Sequence, residues 1–200
     1  MARQGVPYLT LEVVSVRDPE TGEYNVDEIR STDWLIDQVV TINGVSKCYA
    51  MTGWRIGYAG GPKEVIKAMK TIQSQITSNP SSISQVAATT ALDGDQSCVE
   101  EMVAAYEARS GYVVNALNEI PGFECREGEG AFYAFPRVTG ALKAKGMTED
   151  AELAKLLLNE ADVVLVPGTP FGAPGYVRLS FACSIEELEN AVARIKAALV

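Results

Sequence analysis

The sequence predicts an α/β fold, and three observations predict it. Short β-rich runs, among them "QVVTIN" (38–43), "WRIGYA" (54–59) and "YVRLSFA" (176–182), alternate with segments whose apolar residues recur at helical spacing. Clusters of Gly, Pro, Ser and Asp fall between them, as in "RDPETGEY", "TSNPSS" and "GTPFGAPG". With 200 residues, 47% hydrophobic and 22% charged, the chain can bury the core of one large domain or two small ones without disulfide staples.

Taken in order, "YLTLEVVSV" (8–16) is β-rich and a turn follows it, after which the pattern weakens. "QVVTIN" predicts a short buried strand that delivers Gly44 through Lys47 at its C-terminal edge, where ligands gather in open α/β sheets. "WRIGYA" predicts a second strand, ended by Gly60-Gly61-Pro62. Pro62 suits the start of a helix carrying Val65, Met69, Ile72 and Ile76 on one face. A helix near 82–92 follows, then a long one from about 97 to 119 with Met102, Tyr106, Val113 and Leu117 as its stripe, stopped by Pro121-Gly122.

Beyond Gly122, "FECR" and "AFYAF" predict two short strands, and Leu153, Leu156 and Leu157 mark a helix. "DVVLVP" and "YVRLSFA" predict strands joined by "GTPFGAPG". Ser184 and Glu187 form a capping box for a last helix with Leu188, Val192, Ile195 and Leu199 along its seam. These elements divide the chain into residues 1–37, a divergent N-terminal segment, then 38–120 and 121–200, with no internal repeat.

Charge and composition exclude several functions. A net charge of −9, without a Lys/Arg cluster, disfavours nucleic acid and anionic membrane as partners and leaves small molecules. The first residues, "MARQGVPYLTLEVV", lack the continuous apolar segment of a signal peptide and no apolar stretch approaches membrane-spanning length, so a cytoplasmic protein is expected. The four cysteines lack C-x-x-C spacing and read as reduced thiols used as small apolar residues. No metal site is expected. The chain has no histidine, which removes His-dependent triads and leaves proton transfer to Lys, Tyr, Cys or carboxylates.

Within "SKCYAMTGWRIGY" (46–58), Lys47 has no charged residue within seven positions on either side, and Arg55 stands eight positions on. Burial or a nearby positive charge turns a lysine into a neutral nucleophile that condenses with aldehydes, while a guanidinium fork suits a phosphate dianion. Together these are the needs of pyridoxal 5'-phosphate, with Gly53 and Gly57 allowing close backbone approach to the phosphate. The reading places Lys47 in a dry pocket facing Arg55. By spacing alone, a Lys and an Arg eight residues apart are structural or solvated surface groups in roughly nine cases of ten, so the spacing does not by itself carry the cofactor reading.

The segment "NGVSKCYAMTGWRIGYAGGPKEVIKAM" resembles the coenzyme-lysine region of the class I/II pyridoxal-phosphate aminotransferases, particularly the bacterial aspartate/prephenate branch. The resemblance continues through "QSQITSNPSSISQ", "GAFYAFPRV", "VVLVPGTPFG" and "GYVRLSFACS", covering roughly residues 38–200. It implies fold type I, with 38–120 as part of the cofactor-binding large domain and 121–200 as the small α+β domain. It also implies Lys47 as the Schiff-base lysine, Arg55 on the cofactor phosphate, Arg178 on the substrate α-carboxylate, and a homodimer. Gly44 stands where many members have a phosphate-contacting serine, leaving a backbone N–H as donor. "GTPFGAPG" lacks the ending of a Walker loop and reads as a connector.

The family's Asn-Pro-rich segment and stacking aromatic have no counterpart here. Residues 27–30, "DEIR", echo an Asp-Glu-Ile-Tyr segment, which makes Asp27 the partner of the pyridinium nitrogen and puts Arg30 in place of the phenol. The alternative is a surface turn leading into a helix. A fragment, a shortened gene product or one part of an enzyme completed by another chain is expected. The functional expectation is amino-group transfer between an amino acid (aspartate, glutamate or aromatic) and a 2-oxo acid. The alternatives are a pyridoxal-phosphate β-lyase, or a non-catalytic remnant acting as an interaction module.

Overall fold

A computed structural model describes residues 39–199. The strand expected at 8–16 and the candidate Asp27 lie outside the described residues. Two compact units are present, dividing after Val99, so that the described residues fall into 39–99 and 100–199.

In the first unit, β1 (Thr41–Gly44) pairs antiparallel with β2 (Gly57–Gly60), in a register running from Thr41 opposite Gly60 to Gly44 opposite Gly57. The buried strand expected here is corrected to an exposed one: Ile42 keeps 76% of its surface accessible. A run this short cannot show from sequence which of its faces is covered. Helix α1 (Lys63–Ile76) starts directly after Pro62, as proline's fixed φ favours, and α2 (Ser82–Asp93) follows. The apolar stripe of α1 forms on the helix, yet none of its residues is buried. The small core of this unit is Val45, Ile56 and Ala88, packed by Tyr49, Met51, Tyr58 and Leu92.

Helix α3 (Ser97–Asn118) runs across the division between the units, and Val113 and Leu117 of its stripe are buried. The second unit continues with β3 (Tyr133–Ala134), α4 (Thr139–Ala144), α5 (Asp150–Ala161), β4 (Val166–Pro167), β5 (Val177–Ser180) and α6 (Ile185–Leu199). Its sheet has the order β3-β5-β4, antiparallel throughout. Val177 and Leu179 of the central strand point into the core, so Arg178 and Ser180 point out, as a period of two requires. The core joins Leu117, Ile120, Leu153, Leu157, Phe181 and Ile195.

Three expectations are corrected here. "FECR" does not form a strand but a single bridge, Glu124 to Arg137, and "AFYAF" contributes only two ladder residues. The short helix α4 carries no amphipathic pattern long enough to predict it. Of the cysteines, all free, Cys125 is buried and Cys183 half-buried, whereas Cys48 and Cys98 are exposed and do not serve as core residues.

Helix α4 abuts the turn that stops α3. Gly122 has φ +84, and a β-carbon there would collide with the Ala141 amide nitrogen; one on Gly140 would fall 2.6 Å from the Gly122 Cα. Both backbones need the bare glycine. The capping box of α6 is present, with Ser184 Oγ accepting from the Glu187 N–H at 3.2 Å and Glu187 Oε2 accepting from the Ser184 N–H at 3.2 Å.

Glu152 Oε2 accepts the backbone N–H groups of Thr148 (2.9 Å) and Glu149 (3.0 Å) at the start of α5. The Thr148 bond, then the Glu149 bond, hold this carboxyl below the usual carboxylate range. A group whose folded value is depressed contributes stability above its unfolded value, near pH 4.3, and loses it as pH falls through the folded value. Glu119 behaves alike, lowered by the hydrogen bond and charge of Lys196, 2.7 Å away. Thermal unfolding midpoints are therefore expected to fall as pH drops below about 4. Glu152→Gln, which keeps an acceptor but does not titrate, should flatten part of that slope. An identical slope in the variant would contradict the assignment.

Candidate active site

The loop from 45 to 56 joins β1 to β2, and both of its ends are held by burial: Val45 is 0% and Ile56 9% accessible. A turn closed by the Tyr49 N–H on the Val45 carbonyl (3.2 Å) and the Ala50 N–H on the Lys47 carbonyl (3.3 Å) carries Lys47. A 3-10 turn at Thr52–Trp54 then leads to Arg55, whose φ 51 and ψ 51 place it in the left-handed region. A non-glycine residue there is uncommon and costs roughly 1–2 kcal/mol, so the surrounding loop must impose it. The Arg55 guanidinium donates to the Thr52 carbonyl at 3.0 Å.

Lys47 and Arg55 thus sit on one loop, and both are exposed. The dry pocket expected around Lys47 is corrected accordingly. Of its apolar members, Val45, Tyr49, Met51 and Ile56 pack into the small core, while Trp54 and the two cations stay exposed. Gly53 has open space around it, which leaves room for close approach, whereas a β-carbon on Gly57 would meet the Asn43 carbonyl at 3.2 Å, so strand pairing already explains that glycine. The Gly44 N–H donates to Asn43 Oδ1 at 2.7 Å. Beside the loop, Trp54, Ser82, Ile83, Val86 and Ala87 line an open, mainly apolar concavity of about 400 Å³. Such a lining suits a ring or an aliphatic chain better than a phosphate.

Tyr49 is a loop residue that sequence reasoning passed over. Its hydroxyl donates to Gln96 Oε1 at 2.8 Å, tying the turn that bears Lys47 to the segment before α3. Partial burial, and next the Cys48 thiol, push the Tyr49 phenol above its usual range, which keeps it a donor.

Arg178 lies in the second unit, on β5, and is half-buried. Its Cζ stands 4.4 Å from the centroid of the Tyr133 ring and 4.7 Å from that of Phe171, so the guanidinium has an aromatic ring near it from each of two elements. Phe135 stacks on Tyr176 at 5.3 Å and meets Phe171 edge-on at 6.3 Å, extending the aromatic patch. The connector "GTPFGAPG" supplies Phe171. It is organised by Asp150, a buried carboxylate that accepts the Thr169 N–H (3.0 Å), the Thr169 hydroxyl (2.9 Å) and the Gly175 N–H (3.1 Å). From sequence Asp150 looks like an ordinary acidic residue opening a helix.

Among the described residues no group of His, Cys, Asp or Glu could hold a metal ion, and no helix is long and apolar enough to cross a membrane.

Comparisons with known proteins agree. The family described as aminotransferase class I and II matches residues 16–195. An aspartate/prephenate aminotransferase of Nitrosomonas europaea is 48% identical over 185 residues, which are 90% of this chain and 47% of that protein. An aspartate aminotransferase of Geobacillus stearothermophilus is 52% identical over 158 residues, 79% of this chain and 40% of that one. The crystal structure of the aspartate aminotransferase from Rhizobium meliloti superimposes with a TM-score of 0.80 at 46% identity, covering 89% of this chain and 46% of that chain. The chain spans about half the length of the curated relatives it matches.

Proposed function

The chain belongs to the aminotransferase class I and II family and carries part of its fold type I architecture, and from this premise we propose that it takes part in pyridoxal-phosphate-dependent transamination. The observation that carries the reading is the 45–56 loop, which presents an amine and a guanidinium between two buried anchors. That donor set fits the two groups of the cofactor: Lys47 Nζ would hold its aldehyde carbon, and Arg55 its phosphate. When bound, pyridoxal phosphate supplies the electron sink for the pair released when a Cα–H bond breaks.

The residues of the chain do the rest. Arg178 binds the substrate α-carboxylate through its fork and so fixes the direction of the Cα–H bond. Lys47 Nζ, as a free amine, would accept the Cα proton as general base. Asp27, outside the described residues, has by the resemblance the role of pairing with the pyridinium nitrogen, which would keep it protonated. Residues 38–120 serve as part of the large domain and 121–200 as the small one. The substrates are an amino acid (aspartate, glutamate or aromatic) and a 2-oxo acid, handled by a homodimer in the cytoplasm.

The test is direct. Purified chain is mixed with pyridoxal phosphate, reduced with borohydride, digested and searched for the modified peptide. Stoichiometric labelling at Lys47 is expected. Labelling spread over Lys63, Lys67 and Lys70 with none at Lys47 would overturn the proposal.

A further inference from the structure

The guanidinium of Arg178 is flanked by two rings that are secured in different ways. Tyr133 sits on β3, which the ladder to β5 holds directly, with Tyr133 opposite Ser180. Phe171 sits in the connector 168–175, which pairs with no strand along its length. The connector is fixed by local turns, such as the Phe171 N–H on the Gly168 carbonyl (2.8 Å), by the Gly168 N–H on the Tyr176 carbonyl (2.8 Å) and the Val138 N–H on the Gly175 carbonyl (2.8 Å) at its two ends, and by the Asp150 carboxylate, which is the side chain that reaches into it from α5.

Asp150 is only 1% accessible. Burying a carboxylate is costly unless its oxygens are satisfied by hydrogen bonds. Among the described residues every donor to this carboxylate comes from the connector: the Thr169 N–H and hydroxyl on one side of Phe171 and the Gly175 N–H on the other. The carboxylate therefore clasps the two ends of the segment that carries the ring. Gly175 has φ +80, and a β-carbon at Gly168 would fall 2.7 Å from the Tyr176 carbonyl oxygen, so both ends of the clasped segment take a backbone that suits glycine.

We infer that Asp150 is a positioning residue for Arg178, acting through Thr169, Gly175 and Phe171 to hold the guanidinium in the orientation that receives a substrate carboxylate. The inference rests on the proposed role of Arg178 and adds to it a residue that never touches the substrate. The buried carboxylate sets where Phe171 lies, and Phe171 with Tyr133 limits the plane in which the fork can turn. A fork held in one plane loses less rotamer freedom on binding than one that swings freely.

The experiment uses the full chain and follows the Arg178 Nε–Hε resonance, assigned by its loss in Arg178→Lys. In the parent chain the two rings displace this resonance from the position of a free arginine. Asp150→Asn and Thr169→Val are both expected to return it toward the free position and to weaken succinate binding roughly ten- to a hundredfold. Thr169→Ser, which keeps the hydroxyl, should leave both unchanged. An Arg178 resonance that stays in place in Asp150→Asn or Thr169→Val, while the Thr169 and Gly175 amide signals move, would show that Asp150 orders the connector only and would overturn the inference. If the parent chain binds no succinate, the carboxylate role of Arg178 fails and takes the substrate half of the inference with it. The resonance comparison then still decides whether Asp150 orients the guanidinium.

Discussion

Replacing Lys47 with alanine is expected to abolish covalent retention of pyridoxal phosphate and to lower amino-group transfer by about 10²–10⁴-fold or more, the range seen when a general base is removed. Lys47 is the only amine-bearing residue in the loop between β1 and β2. The nearest lysines beyond it, Lys63 and Lys67, lie on α1 and cannot substitute without moving to a different element. Since Lys47 is exposed, its removal should change stability by no more than about 0.5 kcal/mol, so loss of labelling would report chemistry rather than unfolding. Lys47→Arg sharpens the comparison, because it keeps the charge and loses the nucleophile. Full labelling of either variant, measured by mass after borohydride reduction, would remove Lys47 from the mechanism.

If Arg178 holds the substrate carboxylate as proposed, Arg178→Ala should lower kcat/KM by roughly 10²–10⁴-fold, mostly through KM, because two charge-assisted hydrogen bonds at about 1.5–3 kcal/mol each would be lost already from the bound substrate. The same change removes the contacts with Tyr133 and Phe171, worth about 0.5–2 kcal/mol, so part of its effect will appear as lower thermal stability. Arg178→Lys separates the two effects. It preserves the positive charge but not the planar fork, and should recover only a fraction of the binding. Steady-state kinetics, or succinate titration of the chain, gives the answer; an unchanged KM in Arg178→Ala would end the carboxylate assignment.

The helices were legible because a 3.6-residue period survives in a single sequence, and α1, α2, α3, α5 and α6 all lie where their stripes and stops put them. Strand pairing was less so. "FECR" and "AFYAF" have suitable residues, but how many of them enter a ladder depends on partners far along the chain, and only Tyr133 and Ala134 do. The uncharged setting of Lys47 and Arg55 was visible, and part of its cause is that Val45, Tyr49, Met51 and Ile56 pack the small core, whereas Ile42, Cys48 and Trp54 stay exposed. What the sequence could not show is that the cations stay exposed, or that Arg55 adopts a left-handed backbone. The flanking of Arg178 by Tyr133 and Phe171, and the clasp of Asp150 on Thr169 and Gly175, join residues too far apart for any local pattern to link them.

The back-to-back glycines at 122 and 140 have a consequence for engineering. Each blocks change at the other, so a library that varies one position at a time will return nothing but glycine at both. Recombination between this chain and a homologue should keep the two segments from the same parent, because a crossover between them tests a contact that neither parent was selected to make.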